Sequence, residues 1–462
     1  MSSALRSAAP ERHRALADRR VVVMGLGSFG GGEGAARYLA ELGARVVVTD
    51  RRAANALTAS LGRLADLPIE YVLGEHRPAD FERADVVIAN PAVRPDDPLL
   101  AAARATGAEI TSEIELFLEA VRAPVVAVTG TQGKSSTCHL THGLIARCGR
   151  RAHLGGNIGA SLLPRLPQIL PEDVVVLELS SYQLEALHAG RRAARATAVA
   201  IVNILQDHLE RHETVERYAA AKLRILELLA PDGTAILPAD DARFRARRGP
   251  FRTRFFSAQD RAADLHIDGD RFCLGSESLG RVSDLALPGT FQRANALVAL
   301  GLARLVGVEP AALEAALPHQ RGLEHRLENL GTVRGKRVID NGVSTTPDST
   351  ISALQSLPPG VVLLSGGRHK RLPLDELCAV ARERETRAVT FGEAAPVLAQ
   401  ALQAAGVEVR SSPTLEQAVE LAFAPGSHGD TVLFSPACSS FDAYLNFQER
   451  ARAFRAAVGN LR

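Results

Sequence analysis

Residues 125–137 read Val-Val-Ala-Val-Thr-Gly-Thr-Gln-Gly-Lys-Ser-Ser-Thr: an apolar run, a glycine-rich turn, then a helical pattern. A short β-branched run bounded by glycines has the composition of a buried strand. Glycines let backbone N–H groups curl around phosphate oxygens, and the N-terminus of the following helix adds partial positive charge. Gly130, Thr131, Gln132 and Gly133 form the turn. Lys134 is spaced to reach the β- and γ-phosphates of a nucleotide and Ser135 to ligate Mg²⁺, with Ser136 next in line. The full Walker spacing is not met, because its leading glycine falls at Val128. An ordinary strand–turn–helix connection with a surface lysine is the plainer alternative. The order of strand, glycines, Lys and Ser favours the phosphate loop.

The same strand-into-turn signal occurs on both sides of this stretch. Arg20–Leu26 runs into glycines, and so do residues 361–367, which follow the short run Arg337–Asn341. Alternation with Ala/Leu-rich segments of helical length is the βαβ pattern. The expected fold is α/β with three domains: Rossmann-like over 1–112, P-loop ATPase-like over 113–321 and Rossmann-like over 322–462. Residues 243–283, rich in Arg, Asp and Gly, are expected to form a small antiparallel excursion within the middle domain.

At the N-terminal start, Gly25-Leu-Gly27-Ser-Phe-Gly30 follows the strand and Asp50 ends the next one. This is a dinucleotide-type fingerprint with Asp50 poised for a ribose hydroxyl, although a tight packing turn gives the same letters. In the middle segment, Glu178 closes the apolar run that begins at Val174, and Asp207 and His208 lie just beyond the run 198–204. Carboxylate and imidazole at the C-terminal ends of parallel strands face the crevice where α/β sheets bind ligands. Glu178 and His208 are therefore candidate metal ligands near Ser135, even though Mg²⁺ prefers oxygen. The plainer reading pairs Glu178 with an arginine and leaves His208 in a loop. Lys222, on the helical segment 218–226, has on composition alone the reading of an exposed helical lysine.

Composition narrows the classes. The chain has 462 residues, 46% apolar and 23% charged, with a net charge of +2, which fits a globular protein of two or three domains. The balance of charge gives no reason to expect a nucleic-acid or membrane partner, and 4% aromatic residues with no Trp argue against base-stacking platforms. Five cysteines lack CxxC spacing and are expected as reduced thiols. Residues 1–20 lack a signal-peptide core and no run is long enough for a membrane helix, so a cytoplasmic location is expected.

Taken together, several segments resemble the Mur ligase family, and within it the MurD type. They are GTQGKSS, GGNIG at 155–159, ELSSYQLE, NILQDHLERH, YAAAKLRI, GLEHRLE, LLSGGRHK and SPACSSFDAYLNFQER. The resemblance covers nearly the whole chain, and its closing segment is the most specific part. It implies an ATP-dependent ligase that joins glutamate to UDP-N-acetylmuramoyl-L-alanine through an acyl phosphate, acting as a monomer with mobile domains. By resemblance, the turn with Ser28 and Phe29, together with Asp50, Arg51 and Arg52, holds the uridine and its phosphates, and Asn157 touches the nucleotide sugar. Lys134 and the turn around it bind ATP, with Asn295 and Arg326 completing that site. Two Mg²⁺ ions are implied, with Ser135, Glu178 and His208 as ligands and a carbamate formed by CO₂ on Lys222 helping to hold the second. Thr345, Lys370, Ser440 and Phe447 match positions around the glutamate.

The chain departs from the pattern. Where the type reads close to NDSKATN, this sequence has Asp340-Asn-Gly-Val-Ser-Thr-Thr346, so an acidic residue becomes Asn341 and a lysine becomes Val343. Phe29 is large where the family is small, and Leu445 replaces a lysine before Asn446-Phe447. Two cations are thus missing where the amino-acid carboxylates are expected. Charged pairs fix the geometry of such a site, so their loss leans the expectation to L-glutamate, with a separate epimerase downstream; D-glutamate is the alternative. A nucleotide-binding regulator would have lost Lys134, Glu178, His208 or Lys222. A dehydrogenase leaves the phosphate loop unexplained. A folylpolyglutamate synthase-like ligase lacks the N-terminal glycine-rich domain and the closing segment.

Overall fold

Runs of Val, Ile and Leu buried on both faces make the centres of three mostly parallel sheets, seen in a computed structural model that describes residues 5, 7, 9–27, 30–188, 196–245, 249–287 and 289–461. The first sheet contains β1 (Arg20–Met24), β2 (Arg45–Asp50), β3 (Ile69–Leu73), β4 (Val86–Ala89) and β5 (Glu109–Thr111), in the order β3-β2-β1-β4-β5 and all parallel. This is the Rossmann-type order, and the reversal between β1 and β4 opens a crevice at their C-terminal ends. Helix α1 (Gly31–Leu42) follows β1, and α2 (Glu113–Ala120) follows β5 with Ser112 as its side-chain N-cap.

Nine strands form the second sheet: β6 (Val125–Thr129), β7 (Ala152–Gly156), β8 (Val174–Glu178), β9 (Ala196–Ile201), β10 (Leu229–Pro238), β11 (Arg252–Phe256), β12 (Leu265–Asp268), β13 (Arg271–Leu274) and β14 (Glu277–Arg281). Central β6 lies between β8 and β9, both parallel to it. Helix α3 (Lys134–Arg147) leaves the end of β6, α4 (Ser181–Glu185) follows β8, and α5 (Val215–Leu223) lies between β9 and β10. The expected antiparallel excursion is corrected. β11 runs parallel to β10, only β12–β14 are antiparallel, and all of them extend the same sheet. The helical turn Ala242–Arg245 carries the chain back to start β11 in the direction of β10, which composition alone cannot reveal.

The third sheet has β15 (Glu328–Val333), β16 (Lys336–Asp340), β17 (Val362–Gly366), β18 (Arg387–Phe391), β19 (Glu408–Ser412) and β20 (Thr431–Ala437), in the order β15-β16-β20-β17-β18-β19. β15 is antiparallel, an edge strand hidden in a polar stretch where residues 329–332 are half-buried or exposed. Alternation sorts the central strands between two cores: Leu363 and Leu433 face one, while Val362, Leu364, Val432 and Phe434 face the other with Phe454. Helix α6 (Phe447–Gly459) closes the chain.

By packing, the chain divides into two compact units. Met1–Leu285 with Ala294–Gln320 carries the first two sheets, and Ala286–Arg293 with Arg321–Arg462 carries the third. Within the first unit one apolar core is continuous from α1 and β1 to β6 and β9. Among the described residues no helix is long and apolar enough to cross a membrane, and all five cysteines are free thiols.

Candidate active site

β6, β8 and β9 end side by side, and each end delivers one part of a site. Val128 pairs with Glu178 and Thr129 with Ile201, so the turn 130–133, the Glu178 carboxylate and Asn203 emerge at one level. Asn203 fixes the turn: its Oδ1 accepts hydrogen bonds from the Thr131 and Gln132 N–H groups at 3.1 and 2.9 Å, and its Nδ2 donates to Gln132 O at 3.1 Å. Gly133 begins α3 with φ +81°, and a Cβ there would lie 2.4 Å from Asn295 Oδ1. Glycine is required twice over, by the left-handed backbone and by the close approach of the Asn295 side chain. Lys134 Nζ donates to Thr131 O at 2.8 Å, and Ser135 is half-buried one position into the helix.

Lys222 is not the exposed helical lysine of the composition-based reading. Its side chain is 1% exposed, Nζ donates to Gly130 O at 2.6 Å and lies 4.5 Å from the centre of the Tyr218 ring. Burial foremost, then the Lys134 cation, push its pKa down to about 6, against the pull of Asp207 and Glu178. The amphipathic face of α5 turns inward at this position because Tyr218 and Lys222, one helical turn apart, point to the phosphate turn. Tyr218 OH donates to Thr131 Oγ1 at 3.1 Å. Neither Tyr218 nor Asn203 was singled out from sequence; the only available signal was that each sits inside a segment already of interest.

Glu178 is 2% exposed. Asn157 Nδ2 donates to its Oε1 at 2.9 Å, and Oε2 is buried with no hydrogen-bond partner among the described residues. A buried carboxylate oxygen without a donor is costly unless a cation completes it. This orphaned oxygen, with the Ser135 hydroxyl close by in sequence to the phosphate turn, is the donor chemistry of a Mg²⁺ site. His208 is exposed, has a left-handed backbone with φ 51°, and its Nδ1 lies 3.4 Å from Tyr182 OH.

A cleft of about 990 Å³ joins these groups to the first sheet. From the phosphate side it is lined by Lys134, Asn157, His208 and Lys222, and from the first sheet by Asp50, Arg52 and Asn90. Asp50 Oδ2 accepts from Leu26 N at 3.0 Å, while Arg52 donates to both carboxylate oxygens. Burial acts to raise the Asp50 pKa, but the hydrogen bonds from Arg52 and Leu26 outweigh it and hold the group below the usual carboxylate range. Ser28 and Phe29 lie outside the described residues.

In the second unit the neighbours β16, β20 and β17 likewise end together. Lys370 Nζ donates to Thr345 Oγ1 at 3.2 Å. Ser440 is buried just past β20, and half-buried Phe447 opens α6. Arg450, also missed from sequence, is fully buried: Nη1 donates to the carbonyls of Cys438 at 2.9 Å, Ser439 at 3.0 Å and Gly366 at 3.3 Å. Burial lowers its pKa to about 10. Asn341 is consumed internally, with Nδ2 donating to Ser435 Oγ at 3.0 Å and Oδ1 accepting from Leu327 N at 3.3 Å. Leu445, by contrast, is 80% exposed. His325, Glu328 and Asp340 converge, but Arg455 pairs with both carboxylates and fills the role a cation would take. Arg326, half-buried, belongs to this unit, and Asn295 to the first.

Three family models match the chain in order: Mur ligase MurD-like N-terminal domain over residues 19–112, Mur ligase middle domain over 128–303, and Mur ligase glutamate ligase domain over 325–438. Among curated relatives, the UDP-N-acetylmuramoylalanine–D-glutamate ligase of Roseiflexus sp. (strain RS-1) is 37% identical, covering 96% of this chain and 99% of its own. The protein of the same name from Caldanaerobacter subterraneus subsp. tengcongensis is 34% identical over 97% and 99%. Of solved structures, the UDP-N-acetylmuramate–alanine ligase MurC of Thermotoga maritima is similar with a TM-score of 0.61 at 19% identity, covering 96% of this chain and 100% of its own. MurF of Thermotoga maritima in complex with ADP is similar with a TM-score of 0.56 at 17% identity, covering 100% of both.

Proposed function

The chain belongs to the Mur ligase family of ATP-dependent, peptide-bond-forming ligases, and from that membership we propose that it joins glutamate to UDP-N-acetylmuramoyl-L-alanine in the cytoplasm. The observation that carries the reading is the buried Lys222, hydrogen-bonded to the phosphate turn and pushed towards neutrality beside the orphaned Glu178 oxygen. A neutral buried amine is the nucleophile that CO₂ requires to form a carbamate, and the product is an oxygen ligand where the donor set is short of one.

In this proposal residues 1–112 bind the sugar nucleotide, 113–321 bind ATP and Mg²⁺, and 322–462 bind the amino acid. The alanyl carboxylate attacks the γ-phosphorus of ATP, releasing ADP and leaving an acyl phosphate. The glutamate amine then attacks the acyl carbon, and phosphate departs as the amide forms. Phosphoryl transfer demands positioning and charge neutralisation. Lys134 neutralises the transferring group, Asn203 holds the turn in shape through Thr131 and Gln132, and Gly130 and Gly133 present backbone to the phosphates. Ser135, Ser136 and Asn295 surround the nucleotide from α3 and residues 294–320. Glu178, Ser135, His208 and carbamylated Lys222 would hold two Mg²⁺ ions, which supply further neutralisation of phosphate charge. Asp50, Arg52 and Asn157, with Ser28 and Phe29, hold the sugar nucleotide, while Thr345, Lys370, Ser440 and Phe447 surround the glutamate.

The relatives' names support D-glutamate as the substrate. A specific observation favours L-glutamate as a second reading: exposed Leu445 and half-buried Val343 stand where the MurD type carries lysines, leaving Lys370 with Thr345 to meet the carboxylates. Buried Asn341 does not contribute to that argument, because its amide is spent on Ser435 and Leu327. Phosphate release with ATP, Mg²⁺ and UDP-N-acetylmuramoyl-L-alanine, run separately with L- and D-glutamate, tests both. Turnover with D-glutamate alone establishes the first reading and makes Leu445 a neutral replacement. Turnover with L-glutamate alone establishes the second and calls for a downstream epimerase. Turnover with neither refutes the assignment of glutamate.

A further inference from the structure

The cleft contains one carboxyl group that the proposed reaction does not use. Glu113 opens α2, lines the cleft beside Gly31 and Gly32, and its Oε1 accepts a hydrogen bond from Ser161 Oγ at 2.5 Å. Its other oxygen faces the first turn of α1: a Cβ built on Gly31 would sit 4.0 Å from Glu113 Oε2. That first turn has no side-chain cap. It is pressed onto the end of β1 so closely that a Cβ on Gly32 would meet Gly25 O at 2.2 Å. The proposed function puts the sugar nucleotide beside Asp50 at the end of this sheet, and the N-terminus of the helix after the first strand is where such a nucleotide's diphosphate seats. An ionised carboxylate a few ångströms from a diphosphate in a partly desolvated cleft is strongly repelled, whereas a carboxylic acid is a hydrogen-bond donor.

We propose that Glu113 binds the sugar nucleotide as a carboxylic acid, taking a proton from solvent on binding and donating it from Oε2 to a phosphoryl oxygen while Ser161 holds Oε1. The inference rests on the functional reading above and adds a binding residue to it. The free protein is prepared for this exchange: burial raises the Glu113 pKa to about 7, with the Ser161 hydroxyl acting in the opposite direction. The other charged groups on the elements packed against it are already engaged or exposed. On α1, Glu33 is paired with Arg63, and Arg37 with Asp66 and Glu41. On the turn Leu163–Gln168, Arg165 is exposed. On α2, Glu115 is bonded to His188, and Glu119 to Arg12 and His13. Elsewhere in the cleft, His76, His208 and Lys222 are the alternative proton acceptors, and burial is the chief cause that lowers the pKa values of His76 and Lys222.

The test is calorimetric titration of the full-length protein with UDP-N-acetylmuramoyl-L-alanine, without ATP, in two buffers of different ionisation enthalpy at each pH. The diphosphate diester and the alanyl carboxylate do not titrate near neutrality, so any proton taken up goes to the protein. A group of pKa about 7 that becomes fully protonated on binding takes up about 0.9 proton at pH 8 and about 0.1 at pH 6. The expected result is that pattern in the natural protein and its loss in Glu113→Gln, with binding retained. Ser161→Ala removes the hydrogen bond that favours the ionised form, so the onset of uptake moves to higher pH; this variant decides the matter if Glu113→Gln fails to fold. Tight binding without proton uptake overturns the proposal, as does undiminished uptake in Glu113→Gln or an unshifted profile in Ser161→Ala. Absence of binding in the natural protein refutes the functional reading itself, and this inference with it.

Discussion

Replacing Lys222 by methionine separates the stability of this protein from its activity. The amine is 1% exposed and its pKa falls from 10.5 to about 6. Below pH 6 it is charged in both folded and unfolded chains, and the full cost of burying the charge is present. Between about 6 and 10.5 the unfolded chain binds the extra proton, so the stability of the natural protein rises with pH across that window. At pH 7 the residual cost is the free energy of neutralising the amine, at most about 5 kcal/mol from 3.5 pH units. Methionine removes that cost and forfeits the hydrogen bond to Gly130 O, worth about 1 kcal/mol. The variant is therefore expected to melt at the same temperature or higher at pH 7, with the advantage shrinking towards pH 10. Its activity is expected to fall by about 10²-fold or more, the usual scale for losing a preorganised charge at a phosphoryl-transfer site. The same pKa shift makes the amine about 3,000-fold more available in its neutral form at pH 7 than an ordinary lysine, so activity of the natural protein should respond to added bicarbonate. The assays are phosphate release with and without bicarbonate, and thermal melts at pH 7 and 9. A Lys222→Met protein with turnover within about threefold of the natural one refutes the reasoning at its root.

Three further outcomes follow from the geometry. Gly133→Ala forces a Cβ to within 2.4 Å of Asn295 Oδ1 in a left-handed backbone, so ATP affinity should fall at least tenfold and stability by about 1–3 kcal/mol, read by nucleotide titration and chemical denaturation. Glu178→Gln keeps an acceptor for Asn157 but removes the charge behind the orphaned oxygen; the Mg²⁺ concentration for half-maximal turnover should rise about 10–100-fold, with little change in melting temperature. Asp340→Asn leaves Arg455 and His325 facing a neutral amide in the interior and should destabilise the second unit by about 3 kcal/mol, visible in hydrogen exchange across β16 and β20.

The α/β class was legible in the sequence because parallel strands buried on both faces must be apolar throughout: residues 125–128, 174–177 and 361–364 carry that signature with no structural information. β15 was not legible, since half of an edge strand faces water and its composition resembles a linker. Nor was the continuity of β11–β14 with the second sheet, because short Arg- and Gly-rich strands take their direction from the crossover that precedes them.

For the candidate site, the sequence by itself determined the phosphate turn, since Gly130, Gly133, Lys134 and Ser135 must be adjacent in the chain for one turn to cradle a phosphate. Tertiary structure decided everything that depends on which strand lies beside which. The flanking of β6 by β8 and β9 brings Glu178 and Asn203 to the turn, and the rotation of α5 buries Lys222 there. Burial is a property of neighbours and not of a residue, so the perturbed amine of Lys222, the orphaned oxygen of Glu178 and the proton-poised carboxyl of Glu113 exist only once the chain has folded.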